Sequence, residues 1–206
     1  MSAQLTAAIG KLSDRQSMLQ SQIADSAGRA TEIVTHLLDL TKARLGTGLP
    51  ILKEAMDMGF VSHQLVDEMR AIHPNREIEI EATGEIEGNW DKARIGQVFS
   101  NLIGTAVQYG FRGTPIWVKV HGTSKEIIVS VHNEGVPIDP EALPNIFDSL
   151  TRAEPATEDA SASSGTNLGL GLYITKEIVV AHGGEINVRP RNRTVRHSRR
   201  SCRGRM

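Results

Sequence analysis

The sequence predicts an α+β fold in which a helical hairpin precedes a sandwich of helices packed on a sheet. Near the N-terminus the apolar residues follow a heptad spacing, the pattern of a helix that packs against other helices. Further along, amphipathic helical periods mix with short alternating strands in no regular β-α-β order, which indicates an α+β sandwich. The length of 206 residues and the hydrophobic content of 39% suit a short module followed by a medium-sized globular domain.

The predicted hairpin covers residues 3–45. Residues 3–11 fit the end of a first helix, and Ser13 with Gln16 forms a capping-box pair that starts the second. One hairpin leaves its apolar seam facing water, so we expect a homodimer in which two hairpins form a four-helix bundle. The seam follows a 4-3 spacing and consists of Leu19, Ile23, Ser26, Ala30, Ile33, Leu37, Leu40 and Arg44.

The elements of the sandwich follow Pro50. The most regular one is the helix over 91–109, where apolar residues recur at i, i+3, i+4, i+7 and i+8 from Ile95 onward. The stretch 152–167 is rich in Ala, Ser, Thr and Glu without a period, so it is predicted to be a mobile loop. The remaining helical patterns cover 60–71, 140–147 and 169–182. The strand patterns cover 77–82, 116–120, 127–131 and 185–188.

Composition excludes several classes of protein. A single cysteine, Cys202, excludes an internal disulfide and favours a reducing, cytoplasmic compartment. No apolar run approaches the roughly 18 residues of a membrane span, so we expect no membrane segment in this chain. Residues 189–206 contain 8 Arg and no acidic residue, whereas residues 1–188 are acidic. We predict a disordered basic tail there, and we expect no nucleic-acid partner because the tail has no aromatic side chain for base stacking.

Polar residues border the apolar face of helix 91–109. Asn101, Thr105 and Gln108 lie at i, i+4 and i+7, which places them on one stripe. An Asn side chain can hold hydrated Mg²⁺ through its amide oxygen. The alternative is a polar stripe that only contacts solvent.

Two glycine-containing segments are candidates for binding the two ends of a nucleotide. Asn133 follows a strand and can accept a hydrogen bond from an adenine amino group, although Asn-x-Gly is also common in simple turns. Gly169 and Gly171 open a helix, whose first N–H groups suit an anion such as phosphate. A helix start without a ligand is the alternative. Ile174 stands where a dinucleotide-binding fingerprint has its third glycine, and no Walker A lysine follows.

Three segments in order resemble the motifs of sensor histidine kinases. QVFSNLIGTAVQY at 97–109 resembles the N box, VHNEGVPI at 131–138 the G1 box, and GTNLGLGLYI at 165–174 the G2 box, with EIVVAHGGEI soon after as the usual continuation. The upstream hairpin resembles the dimerisation and phosphotransfer module of that family. The resemblance covers about residues 1–188 and implies a GHKL (Bergerat) sandwich. The N-x-G-x-P-I form is similar to a subgroup that includes bacteriophytochrome-type kinases.

The resemblance implies a domain organisation and a function. It assigns 1–48 to a partial dimerisation and histidine-phosphotransfer hairpin, 49–188 to the ATP-binding catalytic domain and 189–206 to the tail. The implied function is transfer of the ATP γ-phosphoryl group to a histidine and then to an aspartate in the receiver domain of a response regulator. ATP and Mg²⁺ are the implied cofactors.

The resemblance also assigns roles to single residues. It places Asn101 in catalysis, and Asn101 with Thr105 at the metal. The implied nucleotide-binding residues are Asn101, Thr105, Gln108, Tyr109, Asn133, Gly135, Ile138, Thr166, Leu168, Gly169, Leu170, Gly171 and Leu172.

Four positions depart from the usual family pattern. Thr105 stands in place of the Asn that is a principal Mg²⁺ ligand, Gln108 in place of a Lys or Arg, Asn133 in place of Asp, and Pro137 in place of a glycine. The change at Thr105 favours an alternative function, a degenerate regulatory module that dimerises without catalysis. Another GHKL ATPase is the second alternative, which is disfavoured because Asn101 occupies the position of the Glu that activates water.

The histidines do not match the acceptor pattern of the family. The acceptor histidine is followed by an acidic, an apolar and a basic residue, and none of the seven histidines has this sequence. We therefore expect the chain to begin inside the phosphotransfer module and to be inactive as an autokinase by itself.

Overall fold

The structure is a computed structural model, and it describes residues 14–44, 48–149, 169–189 and 192–198. Contacts between residues divide the chain into two compact units, Met1–Leu38 and Asp39–Met206. Within the described residues, no helix is both long and apolar enough to cross a membrane.

The long helix α1, Asp14–Arg44, confirms the predicted second helix of the hairpin. Its residues up to Leu38 belong to the first unit. The first helix of the predicted hairpin, residues 3–11, lies outside the described residues. Several large apolar side chains of α1 are exposed, namely Met18, Leu19, Ile23, Val34, Leu37 and Leu38.

The second unit contains the sandwich. Its helices are α2 (Met58–Ile72), α3 (Lys92–Tyr109) and α4 (Gly171–Ala181). Its strands are β1 (Glu54–Asp57), β2 (Ile78–Gly84), β3 (Glu87–Trp90), β4 (Ile116–Gly122), β5 (Glu126–Asn133), β6 (Glu185–Arg189) and β7 (Asn192–Ser198).

Five strands form one mixed sheet in the order β2-β4-β5-β7-β6. Strands β2 and β4 are parallel, with Ile78 opposite Ile116, and the chain between them passes through β3 and α3. All other pairs in the sheet are antiparallel. A second sheet of two strands, β1 and β3, lies before α3 in the chain. The connection from β2 to β4 places α3 against the large sheet, with the polar residues Asn101, Thr105 and Gln108 on this helix.

The core lies between the helices and one face of the large sheet. Alternate strand residues such as Val118, Val129 and Val131 are buried together with Phe99 of α3 and Ile178 of α4. The residues in between point away from the helices, and Glu79, Glu81, Lys119 and His121 are exposed. Burial on one face only is what the alternating pattern predicts. The α+β sandwich expected from the sequence is confirmed.

The element prediction missed short pieces of structure. Strands β1 and β3 have four residues each and carry no alternating apolar pattern. A methyl group on Gly88 would lie 2.1 Å from the ring of Trp90, so this glycine lets the buried indole fold over its own strand. The helix predicted over 140–147 is only a 3₁₀ turn, Leu143–Asn145.

Residues 192–198 correct the expectation of a disordered tail over 189–206. They form β7, which pairs antiparallel with both β5 and β6 and places Val195 opposite Val129 and Ile186. The expectation followed from the arginine-rich composition of this segment. A strand between two neighbours is held by backbone hydrogen bonds, which do not depend on the side chains. The remaining residues of the predicted tail after β6, 190–191 and 199–206, lie outside the described residues.

Candidate functional site

Asn101 joins helix α3 to the beginning of helix α4. Its amide nitrogen Nδ2 donates to the carbonyl oxygen of Gly171 at 2.9 Å and to Thr175 Oγ1 at 3.2 Å. The Asn101 side chain is buried, with 8% of its surface exposed, and Thr175 is fully buried. Residues some 70 positions apart in the sequence therefore meet at one point.

The start of α4 has the backbone shape predicted for it. Gly169 has φ of 68°, in the left-handed region that favours glycine, and the helix begins at Gly171. The first N–H groups of a helix have no partner within the helix, which makes this end suitable for an anion. Leu170 is buried, with 1% of its surface exposed, whereas Leu172 is half-buried.

Thr105 lies one turn after Asn101 and is half-buried. Its hydroxyl donates to the carbonyl oxygen of Asn101 at 2.6 Å, so the proton is used within the helix while the oxygen keeps lone pairs. Asn101 Oδ1 and Thr105 Oγ1 are both hard oxygen ligands of the kind that Mg²⁺ accepts, but both are neutral. The described residues contain no group of three His, Cys, Asp or Glu that could hold a metal ion. The donor set therefore fits Mg²⁺ in ligand type, without a carboxylate.

Strand β5 ends beside the end of α3. Gly135 forms an isolated bridge with Gly110, and a methyl group on Gly135 would lie 2.3 Å from the carbonyl oxygen of Tyr109. The close approach that requires glycine here is to the protein's own backbone. Asn133 donates through Nδ2 to the carbonyl oxygen of Glu134 at 3.3 Å, which leaves its amide oxygen as an acceptor.

A buried histidine links the other ends of α3 and α4. His182 accepts the backbone N–H of Asp91 at Nε2, 3.0 Å away, and its Nδ1 lies 2.8 Å from the carbonyl oxygen of Ile178. This pair of contacts requires the neutral ring with the proton on Nδ1. The pKa of His182 is lowered, mainly by burial and further by the charge of nearby Lys53. The hydrogen bond to Ile178 acts in the opposite direction but does not outweigh them.

Asp91 caps helix α3 at the same place. Its carboxylate accepts the backbone N–H groups of Arg94 at 3.0 Å and of Leu52 at 2.9 Å. Burial disfavours the charge of Asp91, but these backbone donors outweigh it, so the pKa of Asp91 is lowered. Together with His182, the cap fixes where the helix that carries Asn101 begins.

Comparison with known proteins decides the family. The sequence profile described as "Histidine kinase-, DNA gyrase B-, and HSP90-like ATPase" matches residues 90–202, more than half of the chain. The chain belongs to this family.

Two curated relatives place the chain among sensor histidine kinases. A bacteriophytochrome from Pseudomonas aeruginosa is 31% identical over 189 residues, which cover 91% of this chain and 25% of that protein. The sensor histidine kinase CusS from Escherichia coli K12 is 30% identical over 161 residues, covering 78% of this chain and 32% of that protein. The chain thus spans between about a quarter and a third of the length of these relatives. The predicted family is confirmed.

A solved kinase structure confirms the fold. The histidine kinase ThkA in complex with the response regulator protein TrrA matches with a TM-score of 0.63 at 20% identity, covering 96% of this chain and 56% of that chain. The predicted GHKL sandwich is thereby confirmed as well. The match of the family profile extends to residue 202, so it includes β7 of the basic segment.

The kinase fold brings some of the predicted site residues together. Asn101 meets Gly171, and Tyr109 meets Gly135, while Ile138 and Gln108 are half-buried. Thr166 and Leu168 lie outside the described residues.

Sequence reasoning missed one charged residue near the G1 segment. Arg76 Nη1 donates to the carbonyl oxygens of Gly110 and Phe111, at 3.4 and 2.9 Å. Its Nε and Nη2 are buried and have no partner among the described residues. Burial, and then the charge of Arg112, lowers the pKa of Arg76. A cation at the C-terminal end of α3 complements the helix dipole, but no sequence motif marks it.

Proposed function

We propose that this chain is the ATP-binding and catalytic part of a sensor histidine kinase. In the proposed reaction the γ-phosphoryl group of ATP passes to a histidine outside this chain's seven, and then to an aspartate in the receiver domain of a response regulator. The contact between Asn101 and Gly171 carries the proposal. Helix α3 carries the oxygen atoms that can bind a metal ion, and the start of α4 carries the N–H groups that can bind an anion. This contact holds the two side by side, as a site for a metal ion and a phosphate group requires.

The adenine end of the proposed site lies at the end of β5. Asn133 keeps an acceptor oxygen that suits the amino group of adenine, while its Nδ2 donates one hydrogen to the carbonyl oxygen of Glu134. Gly135 and Ile138 follow Asn133 in the chain, and the backbone of Tyr109 lies against Gly135. An acceptor at this position favours adenine over guanine, because guanine presents an oxygen in place of the amino group.

The phosphate end of the proposed site lies at the start of α4. Backbone N–H groups from Gly169 to Leu172 would bind phosphate oxygens, with Thr166, Leu168 and Gln108 as further contacts. Asn101 Oδ1 and Thr105 Oγ1 would hold Mg²⁺, which when bound neutralises charge on the phosphate oxygens. Proteins of this class act on phosphoryl groups mainly by positioning and by charge stabilisation. The contacts of Asn101 with Gly171 and Thr175 support a positioning role for this residue.

The proposed partners are a second copy of the chain and a response regulator. The exposed apolar side chains of α1 support a dimer, because a second copy of the same helix would bury them. The similarity to ThkA, whose structure contains the response regulator TrrA, supports the second partner.

A regulatory module without catalysis is the second candidate. The observation in its favour is Thr105, whose short side chain is bonded to its own helix backbone at 2.6 Å. A hydroxyl reaches less far than the amide usual at this position. Such a module would dimerise and bind partners without catalysis.

The experiment that tests the proposed function is a titration of ATP and GTP against the chain and two variants. Asn133→Leu removes the acceptor at nearly constant size and is expected to weaken ATP binding by roughly tenfold. Asn187→Leu, at an exposed position of strand β6, is the matched control and should bind like the unmodified protein. ATP binding that is unaffected by Asn133→Leu, or a preference for GTP, would contradict the assignment of the adenine end.

A further inference from the structure

The orientation of the Asn101 amide follows from the chemistry of its two partners. The carbonyl oxygen of Gly171 can only accept, and it already receives the hydroxyl proton of Thr175 at 2.8 Å. Since that proton is used, Thr175 Oγ1 offers Asn101 only its lone pairs. The part of Asn101 that faces both oxygens must therefore be the NH₂ group.

This orientation leaves one polar atom of Asn101 for a ligand. Both amide hydrogens have acceptors, so Oδ1 is the remaining atom, and it can only accept or coordinate. A methyl group on Gly171 would lie 3.3 Å from Oδ1, which means that the missing side chain leaves room for this oxygen. An amide oxygen attracts a metal ion and repels phosphate oxygens.

Thr175 is well suited to hold the amide in place. It is fully buried, so its hydroxyl has no competing water, and its bond to Gly171 lies within its own helix at i−4. The β-branched side chain has few rotamers, so the hydroxyl stays in place.

We infer that Thr175 is a positioning residue, which fixes the Asn101 amide so that only its oxygen can contact a ligand and the affinity for ATP depends on Mg²⁺. This inference rests on the proposed function, since it deepens the role of Asn101 in the same site. Thr175 lies outside the N box and the G2 box, and the family resemblance assigns it no role.

The test compares Thr175→Val, which keeps the shape and loses the hydroxyl, with Thr175→Ser, which keeps the hydroxyl. ATP and adenosine are titrated calorimetrically into the three proteins, with Mg²⁺ and with chelator. The unmodified protein should bind ATP more tightly in Mg²⁺. Thr175→Val should lose roughly three- to tenfold of that gain, while its affinity for adenosine stays the same. Thr175→Ser should behave like the unmodified protein.

A second measurement follows the amide directly. In ¹⁵N-labelled protein the side-chain NH₂ of Asn101 should exchange slowly with water, and Thr175→Val should accelerate this exchange while Thr175→Ser should not. An unchanged Mg²⁺ gain in Thr175→Val, an equal loss in Thr175→Ser, or an equal loss of adenosine binding would each overturn the inference. ATP binding without any gain from Mg²⁺ would overturn the inference and leave ATP binding intact. A complete lack of ATP binding would overturn the proposed function itself.

Discussion

Replacing Asp39 by Ala should destabilise the second unit strongly. Asp39 lies near the C-terminal end of α1, and its Oδ2 accepts from Arg94 Nη1 at 2.6 Å and from Gln97 Nε2 at 3.2 Å. The side chains of Asp39 and Arg94 are 3% and 17% exposed. Breaking a buried ion pair costs about 3–5 kcal/mol, because the remaining charge loses its partner. Arg94 is partly exposed and keeps Gln97 Oε1 at 3.0 Å, so we expect the lower end, about 3 kcal/mol.

Urea and thermal unfolding, followed by the fluorescence of Trp90 and Trp117, measure this loss. For a protein of this size about 3 kcal/mol lowers the Tm by roughly 6–12 °C. Asp39→Asn keeps an acceptor oxygen and should lose less than Asp39→Ala. The double variant Asp39→Leu with Arg94→Met removes both charges and should recover most of the stability. A loss below about 1 kcal/mol in Asp39→Ala would refute the reasoning, as would a double variant as unstable as the single one.

Four further predictions concern the dimer, the metal site, catalysis and pH. Ile33→Glu with Leu37→Glu should convert a dimer into monomers in size measurements, and an unmodified protein that is already monomeric at micromolar concentration would contradict the dimer. Thr105→Asn should strengthen ATP binding roughly tenfold in Mg²⁺ but not in chelator, because the amide adds a metal ligand. Equal ATP affinities of the unmodified protein and Thr105→Asn in Mg²⁺ would contradict metal binding by Asn101 and Thr105. Incubation with radiolabelled ATP should leave no acid-labile label on the chain, and label on any of its histidines would show an unexpected acceptor. Since the pKa of His182 is lowered from 6.5, the unfolded chain takes up a proton that the folded chain does not, so the free energy of unfolding should fall as the pH falls below about 6.5. His182→Gln should reduce this slope in urea unfolding, with exposed His63→Gln as the control, and an unchanged slope would contradict the role of His182.

The sequence predicted the elements whose pattern is periodic. Helix α3 was predicted over 91–109 and spans Lys92–Tyr109, because the helical period of its apolar face is a local signal. Strands β4 and β5 were predicted from their alternation. Strand β7 was not, since its place in the sheet depends on backbone pairing with β5 and β6, which no local pattern encodes.

The candidate site could be predicted only as separate motifs. Asn101 and Gly171 stood out through their motifs, but their contact depends on how α3 and α4 pack. Thr175 carries no signal of its own, since it lies in an apolar helix and gains its role from a residue 74 positions away. The family resemblance implied that Gly135 binds nucleotide. In the structure, a side chain at this position would clash with the backbone of Tyr109, which explains why the position requires glycine.

The most direct test of the ATP-binding assignment is isothermal titration of ATP into the unmodified chain, once with Mg²⁺ and once with chelator. We predict saturable binding in both conditions, with higher affinity in Mg²⁺, because Asn101 offers an oxygen ligand and the start of α4 offers phosphate-binding N–H groups. No heat of binding in either condition, at concentrations where the protein is folded, would contradict the account.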